Sequence, residues 1–196
     1  ETDDEVIEAG RTIDKMGLAA VPALWAMIET PLAVLRPDAV AVAREGEVGP
    51  KLACLVIGTN DLAKVTRARL TPGRMAFRSW LSSTVAAARA YGLDVIDGVC
   101  NTFDDPAVFE AECIEGRDLG MDGKTLIHPK QIEPANRIFA PDPAEVEDAR
   151  RIVAAFDLPE NRSRGAISLD GRMVERLHAD MARRTLALAE AIAARG

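Results

Sequence analysis

The chain has 196 residues, enough for one domain with a sizeable apolar core. Hydrophobic residues make up 48% of it and charged residues 28%, which excludes a disordered or fibrous protein. The formal net charge of −7 argues against a general nucleic-acid or membrane-surface binder, although it leaves room for a local basic patch that binds an anionic ligand.

The first elements predicted along the chain are a helix, a buried strand and further helix. Residues 3–16 place their apolar side chains on one helical face. Residues 21–28 form a short apolar run, which predicts a buried strand that finishes at Glu29 and is broken by Thr30-Pro31. Residues 32–45 suit either one helix or two short helices separated by an internal proline.

The same succession of strand and helix continues through the middle of the chain. Residues 51–57 predict a second buried strand, and residues 58–61 (GTND) predict a loop after it. Residues 74–91 predict a helix and residues 93–97 a third short strand. A further helix is expected over 106–116, because it opens with proline and carries acidic residues in its first turns.

The last part of the chain departs from this alternation. Residues 123–128 predict a fourth short strand, ended by a proline. Residues 143–156 predict a helix, residues 157–171 a polar connection, and residues 172–195 a final helix rich in alanine and arginine.

Four continuously apolar strands alternating with helices predict a parallel sheet covered by helices. Two architectures fit, a doubly wound sheet and part of a (β/α)8 barrel, which needs about 250 residues. The sequence opens with Glu1, inside a predicted helix, so we expect that a preceding segment is absent from it.

Polar residues close the predicted strands, at the edge where parallel α/β folds bind ligands. They are Glu29, Asn60, Asp61, Asp97, Lys124 and His128. Glu29 and Asp61 are carboxylates without a nearby histidine or thiolate, which suits a hard cation such as Mg²⁺. The alternative is a pair of unrelated acidic helix caps, and Asp97 in particular is expected to cap the turn that follows it.

The three cysteines, Cys54, Cys100 and Cys113, are odd in number and lack metal-binding spacing. They predict buried, reduced thiols in a cytoplasmic protein. The sequence shows no signal peptide, and no apolar run approaches the ~20 residues that span a bilayer.

Four motifs follow one another in the order Met27–Thr30 (MIET), Gly58–Ala63 (GTNDLA), Gly116–Gly120 (GRDLG) and Asp122–Ile132 (DGKTLIHPKQI). In these motifs the chain resembles the citrate lyase beta-subunit-like family of CoA-ester lyases, which includes malyl-CoA and citramalyl-CoA lyases. The resemblance runs from near residue 1 to about residue 190.

The resemblance implies an α/β fold of the (β/α)8 TIM-barrel type. Residues 1–141 would form the C-terminal half of the barrel and residues 142–196 a helical C-terminal extension or lid. The family's first four strands carry an arginine and acidic residues that grip the substrate carboxylate, and these have no counterpart in this sequence.

The resemblance also implies roles for site residues. Glu29 and Asp61 match the two Mg²⁺ ligands, and Thr59 and Asn60 would shape the substrate pocket. Lys124 and His128 would lie beside the CoA arm, although a packed corner is the alternative for His128. Arg117-Asp118 is expected to be a structural ion pair.

The segment Gly165–Glu175 resembles the family's C-terminal lid motif. In malyl- and citramalyl-CoA lyases an aspartate of this motif comes from a neighbouring subunit and assists proton transfer. Glu175 stands at that position, one methylene longer, and the following Arg176-Leu177 departs from the family pattern. The resemblance implies a catalytic role for Glu175, supplied in trans by a neighbouring subunit.

The expected function is that of a Mg²⁺-dependent carbon–carbon lyase. Such an enzyme cleaves a 3-hydroxyacyl-CoA thioester, such as malyl-, citramalyl- or citryl-CoA, into acetyl-CoA and a small keto acid, or catalyses the reverse reaction. The alternatives are a malyl-CoA thioesterase-like hydrolase, a free-acid aldolase and a non-catalytic subunit. The expected partners are a CoA thioester, a small keto or hydroxy acid and further copies of the chain, as a trimer or hexamer, with no nucleic acid and no membrane.

Overall fold

A computed structural model of the chain describes residues 2–46, 49–102 and 104–195. The chain divides into two compact units, Glu1–Phe139 and Ala140–Gly196. The first unit contains a parallel sheet with helices, and the second contains two helices and a hairpin.

Four parallel strands form the sheet of the first unit, in the spatial order β1-β2-β3-β4. They are β1 (Leu24–Ile28), β2 (Leu52–Ile57), β3 (Asp94–Asp97) and β4 (Gly123–Lys124). A doubly wound sheet reverses its strand order at a switch point, whereas consecutive barrel strands stay in sequence. The observed order therefore favours the barrel alternative.

Seven α-helices of the described residues surround this sheet in sequence. They are α1 (Asp3–Lys15), α2 (Pro31–Leu35), α3 (Pro37–Ala41), α4 (Thr59–Thr66), α5 (Arg78–Ala90), α6 (Pro106–Asp118) and α7 (Ile132–Phe139). Short 3₁₀ turns occupy Val42–Glu45, Gly49–Lys51 and Pro129–Gln131. Of the two alternatives for residues 32–45, two short helices separated at Pro37 is the correct one.

Local chemistry explains where these helices begin. Thr30 Oγ1 accepts a hydrogen bond from the Ala33 N–H at 3.2 Å, and Pro31 follows as the first residue of α2. Asp105 Oδ1 accepts from the Ala107 N–H at 3.0 Å, and Pro106 opens α6. A side-chain acceptor followed by proline satisfies donors that a helix start leaves unpaired.

The core of the first unit lies between one face of the sheet and the helices. Leu55, Ile57 and Val95 are at most 1% exposed and pack in one cluster with Phe77 and Leu81. The strand residues Trp25 and Met27, by contrast, are 61% and 47% exposed. Within the described residues, the sheet is thus fully covered only on the side that faces the helices. The apolar cluster on that side therefore contributes most of the hydrophobic stabilisation of the unit.

The second unit contains α8 (Pro143–Asp157), an antiparallel hairpin of β5 (Ala166–Leu169) and β6 (Arg172–Glu175), and α9 (Arg176–Ala193). Its core includes Phe156, Ile167, Val174 and Ala179. α8 begins with a capping box, because the Ala144 N–H donates to Asp142 Oδ1 at 2.7 Å and the Asp142 N–H donates to Glu145 Oε2 at 2.9 Å.

Two boundary predictions in the second unit are wrong. Residues 157–171 are not all connection, and residues 172–175 are strand rather than helix. The hairpin turns at Asp170 and Gly171, whose φ angles are +51° and +78°. Positive φ at both central residues matches the right-handed twist of the two strands, which is why Asp-Gly is a strong hairpin signal.

Three predictions in the first unit also need correction. Thr59 opens helix α4 where a loop was expected, and the helix predicted over 74–91 begins only at Arg78. The fourth strand stops at Lys124 rather than residue 128. The backbone N–H groups of Ile127 and His128 donate to Gln131 Oε1 at 2.9 and 3.3 Å, so they leave the sheet ladder for a side chain.

The cysteines are confirmed as free and buried. Burial is the main cause that raises the pKa of the Cys54 and Cys113 thiols to about 12, and it also raises the pKa of Cys100. In the described part of the chain, we find no helix with the length and apolarity needed to cross a membrane.

Truncating the central strand tests the position of the core. Leu55→Ala should lower the free energy of unfolding by about 3 kcal/mol, because Leu55 is 0% exposed and its removal leaves a cavity. Leu35, which is 75% exposed, provides the matched control, and Leu35→Ala should change the value by no more than about 0.5 kcal/mol. Urea unfolding followed by circular dichroism measures both, and equal effects would contradict the assigned core.

Candidate metal and substrate site

Glu29 lies beside Gly58 because β1 and β2 end together. The last pair of the ladder joins Ile28 to Ile57, and the Gly58 N–H donates to Ile28 O at 3.0 Å. A Cβ on Gly58 would lie 2.5 Å from Glu29 Cβ and 2.9 Å from Glu29 Oε2. The missing side chain of Gly58 thus leaves the space that the half-buried Glu29 side chain occupies.

Asp61 is presented by the first turn of α4. Gly58 precedes the helix, and the Leu62 N–H donates to Gly58 O at 3.1 Å. Leu62 is fully buried in the core, whereas Asn60 and Asp61 are exposed. The buried leucine fixes the rotation of the helix and leaves the Asp61 carboxylate at the strand-end edge, near the positive end of the helix dipole.

The two carboxylates fit Mg²⁺ better than a transition metal. Mg²⁺ is bound by one or two protein carboxylates and completes its shell with waters and substrate oxygens. Among the described residues, no group of three or more His, Cys, Asp or Glu side chains could hold a metal ion. The half-buried carboxylate of Glu29, to which Gly58 leaves space, and the exposed carboxylate of Asp61 match this requirement, and their role as ligands stays a prediction.

The other residues of the GTND segment have different surroundings. Thr59 is 1% exposed, and its Oγ1 has no hydrogen-bond partner among the described residues. Asn60 exchanges two hydrogen bonds with Asn101, which follows β3. Direct substrate contact by Thr59 and Asn60 stays a prediction. Asn101 was missed in the sequence, although the strand-end rule that selected Asp97 could have found it.

Asp97 is buried in an ion cluster. The N–H of the next residue, Gly98, donates to Asp97 Oδ1 at 2.8 Å, whereas residues 98–100 form no turn, so the expected turn cap is not what this contact shows. Arg74 Nη1 also donates to Asp97 Oδ1 and Oδ2 at 2.7 and 2.8 Å, and Arg74 Nε donates to Glu115 Oε2 at 2.8 Å. Burial, the largest single influence, would lower the pKa of Arg74, but the charges and hydrogen bonds of Asp97 and Glu115 together outweigh it and the pKa rises. Arg74 is therefore a permanent cation of the cluster.

Lys124 belongs to the same cluster. Its side chain is fully buried, and Nζ lies 2.9 Å from Asp97 Oδ2, 2.7 Å from Gly98 O and 3.0 Å from Glu112 Oε2. These contacts give the Lys124 ammonium a structural role, and the position of this stretch beside the CoA arm stays a prediction.

His128 and Arg117-Asp118 have local contacts. The Lys130 N–H donates to His128 Nδ1 at 3.1 Å, so His128 caps the 3₁₀ turn at Pro129–Gln131, as a packed corner would. Its role in substrate binding stays a prediction. Arg117 and Asp118 form the expected ion pair at 3.0 Å on the surface.

Glu175 lies in the second unit, at the end of β6 and directly before α9. Its backbone N–H donates to His178 Nδ1 at 2.9 Å. This contact fixes the start of α9 and leaves the role of the Glu175 carboxylate in proton transfer as a prediction.

Parallel strands in sequential order, with Glu29 and Asp61 at or just after their carboxyl ends, are typical of a barrel-type protein. Residues 7–129 match the family described as HpcH/HpaI aldolase/citrate lyase. The chain belongs to this family, which confirms the resemblance drawn from the four motifs.

Relatives and solved structures agree with this assignment. The chain is 49% identical to a (3S)-malyl-CoA thioesterase of Cereibacter sphaeroides over 171 residues, which cover 87% of this chain and 58% of the relative. A citrate lyase structure from Burkholderia xenovorans LB400 matches with a TM-score of 0.81 at 21% identity, covering 98% of this chain and 62% of the other. The chain thus spans less than two thirds of either protein.

A third similar protein is CitE from Mycobacterium tuberculosis, solved in complex with magnesium, acetoacetate and coenzyme A. Its TM-score is 0.69 at 24% identity, and the match covers 92% of this chain and 65% of the other. These structural likenesses confirm the (β/α)8 TIM-barrel type of fold.

Gly58 provides a test of the site geometry. Gly58→Ala should weaken Mg²⁺ binding about tenfold or more, because the new Cβ would displace Glu29. Gly165→Ala is the matched control, since a Cβ there would meet no heavy atom within 4 Å. Isothermal titration with MgCl₂ measures both variants. Wild-type affinity in Gly58→Ala would show that Glu29 does not depend on this space.

Proposed function

We propose that the protein is a Mg²⁺-dependent enzyme that acts on the CoA thioester of a small 3-hydroxy acid, of the malyl-CoA kind. The observation that carries this proposal is that Glu29 directly follows β1 and Asp61 lies in the first turn after the neighbouring strand β2, with Gly58 leaving space for the Glu29 side chain. Membership of the HpcH/HpaI aldolase/citrate lyase family supports it. The magnesium, acetoacetate and coenzyme A in the CitE structure support the choice of ion and ligand class.

Each residue of the site has a proposed task. Glu29 and Asp61 hold the ion, which when bound polarises an oxygen of the substrate as a Lewis acid. Asn60 offers an exposed amide beside Asp61 that can hydrogen-bond the hydroxyl or carboxylate of the acid. Thr59 is buried at the start of α4 and anchors the helix that carries Asn60 and Asp61.

Hydrolysis is the first reaction that we propose. Water adds to the thioester carbonyl, the carbon–sulfur bond breaks, and CoA leaves as the thiol while the acid is released. The 49% identity to a (3S)-malyl-CoA thioesterase supports this reaction.

Carbon–carbon cleavage is the second candidate, supported by the family match. In that reaction the 3-hydroxyl loses its proton, the bond between C2 and C3 breaks, and C2 of the thioester gains a proton. Malyl-CoA would give acetyl-CoA and glyoxylate. Glu175 of a neighbouring copy of the chain is the carboxylate that we propose for the proton transfer to C2.

The products distinguish the two reactions. With malyl-CoA and Mg²⁺, we expect free malate and CoA in equal amounts, measured by liquid chromatography with mass detection. Acetyl-CoA with glyoxylate would establish cleavage instead. If neither pair forms, both reactions are wrong for this substrate, and a non-catalytic subunit becomes the better description.

Removing one proposed ligand tests the metal site. Asp61→Ala should lower both Mg²⁺ affinity and kcat/KM at least about 100-fold, because a single carboxylate would remain for the ion. Titration calorimetry and the product assay measure the two effects.

Asp118→Ala is the matched control for this substitution. Asp118 is exposed and pairs with the neighbouring Arg117 on the surface, so both quantities should stay within about twofold of wild type. Retained Mg²⁺ binding in Asp61→Ala would remove Asp61 from the site.

A further inference from the structure

The segment that follows β3, residues 98–101, is fixed by buried polar groups. The Gly98 N–H donates to Asp97 Oδ1 at 2.8 Å, and Lys124 Nζ donates to Gly98 O at 2.7 Å. Gln131, which is 2% exposed, donates from Nε2 to Cys100 O at 3.2 Å. Because each of these partners is itself buried, the 98–101 segment has a defined position relative to the strand ends.

The 98–101 segment contacts the beginning of α4 at two points. A Cβ on Gly98 would lie 2.6 Å from Thr59 Oγ1 and 2.7 Å from Ile57 O, so Gly98 permits close packing against the residue that opens α4. Farther along, Asn101 reaches the side chain of Asn60. The helix that carries Asp61 is therefore supported from the neighbouring strand end.

Asn60 and Asn101 form a reciprocal amide pair. Asn60 Nδ2 donates to Asn101 Oδ1 at 3.1 Å, and Asn101 Nδ2 donates to Asn60 Oδ1 at 2.7 Å. Both side chains are exposed. Each primary amide has two N–H donors and two acceptor lone pairs, so one donor and one acceptor site of each stay free. The pair thus presents a neutral donor and acceptor surface next to Asp61.

We propose that Asn101 is a positioning residue that holds the Asn60 amide in one orientation beside Asp61. An exposed asparagine without such a partner would sample several rotamers, and ordering it would cost free energy each time a ligand binds. The inference rests on the proposed function, since the ligand of the Asn60 amide is the hydroxy-acid part of the CoA thioester. Asn101 acts through Asn60 and does not itself contact the substrate.

A double-mutant cycle tests whether Asn101 acts through Asn60. With malyl-CoA and saturating Mg²⁺, Asn101→Ala should lower kcat/KM about tenfold, and Asn60→Ala at least as much. The double variant should equal Asn60→Ala within about twofold, because Asn101 has nothing left to position. Losses that multiply in the double variant would overturn the proposal.

Two controls separate positioning from loss of structure. The melting temperatures of the three variants should stay within about 2 °C of wild type, because both side chains are exposed. Asn161→Ala also removes an asparagine hydrogen bond, from Asn161 Nδ2 to Ala155 O at 2.8 Å, but in the second unit. Its kcat/KM should stay within about twofold of wild type, and a tenfold loss there would overturn the specific role of Asn101.

A crystal structure of the Asn101→Ala variant tests the proposal without any turnover. The Asn60 amide should leave its wild-type orientation or lose defined density, and an unchanged amide would overturn the inference. If the wild type does not act on malyl-CoA, the proposed function fails on the product assay, while this crystal structure still decides whether Asn101 positions Asn60.

Discussion

Asp97 is a fully buried carboxylate, and Arg74 and Lys124 bind it at 2.7 and 2.9 Å. An unpaired charge in this position would cost several kcal/mol, so both cations stabilise the packing at the end of β3. Arg74 comes from the segment after α4, and Lys124 comes from β4. One buried charge at the end of β3 thus requires three separate parts of the chain to meet.

This requirement connects the interior with the strand-end edge. Lys124 binds the backbone oxygen of Gly98, which packs against the residue that opens α4. That helix, α4, carries Asp61. Gly58 precedes the helix, and the Glu29 side chain at the end of β1 occupies the space beside Gly58. The candidate site therefore places one half-buried and one exposed carboxylate on a support of buried, paired charges, so that these side chains stay accessible while their backbone is fixed.

Features encoded by neighbouring residues could be predicted from the sequence, and those encoded by distant ones could not. Short-range patterns predict the helices that begin after Asp105-Pro106 and Asp142-Pro143. They also predict the strand that ends before Glu29. The ion pairs of Asp97 join residues 23 and 27 positions apart, and the Asn60–Asn101 pair joins residues 41 positions apart. Because these partners are distant in the sequence, the burial of Lys124 against Asp97 could not be predicted from its own segment.

The backbone of Arg74 has a φ of +41°, in the left-handed region that costs a non-glycine residue about 1–3 kcal/mol. Glycine would suit this backbone, yet only a guanidinium can bind Asp97 and Glu115 in the observed fork. Folding intermediates that dock β3 without Arg74 or Lys124 would contain a dehydrated charge with too few partners. The cluster thus disfavours partial assembly, and the strain at Arg74 is offset only in the complete structure. Buried charges and the apolar core of this unit therefore favour the same complete packing.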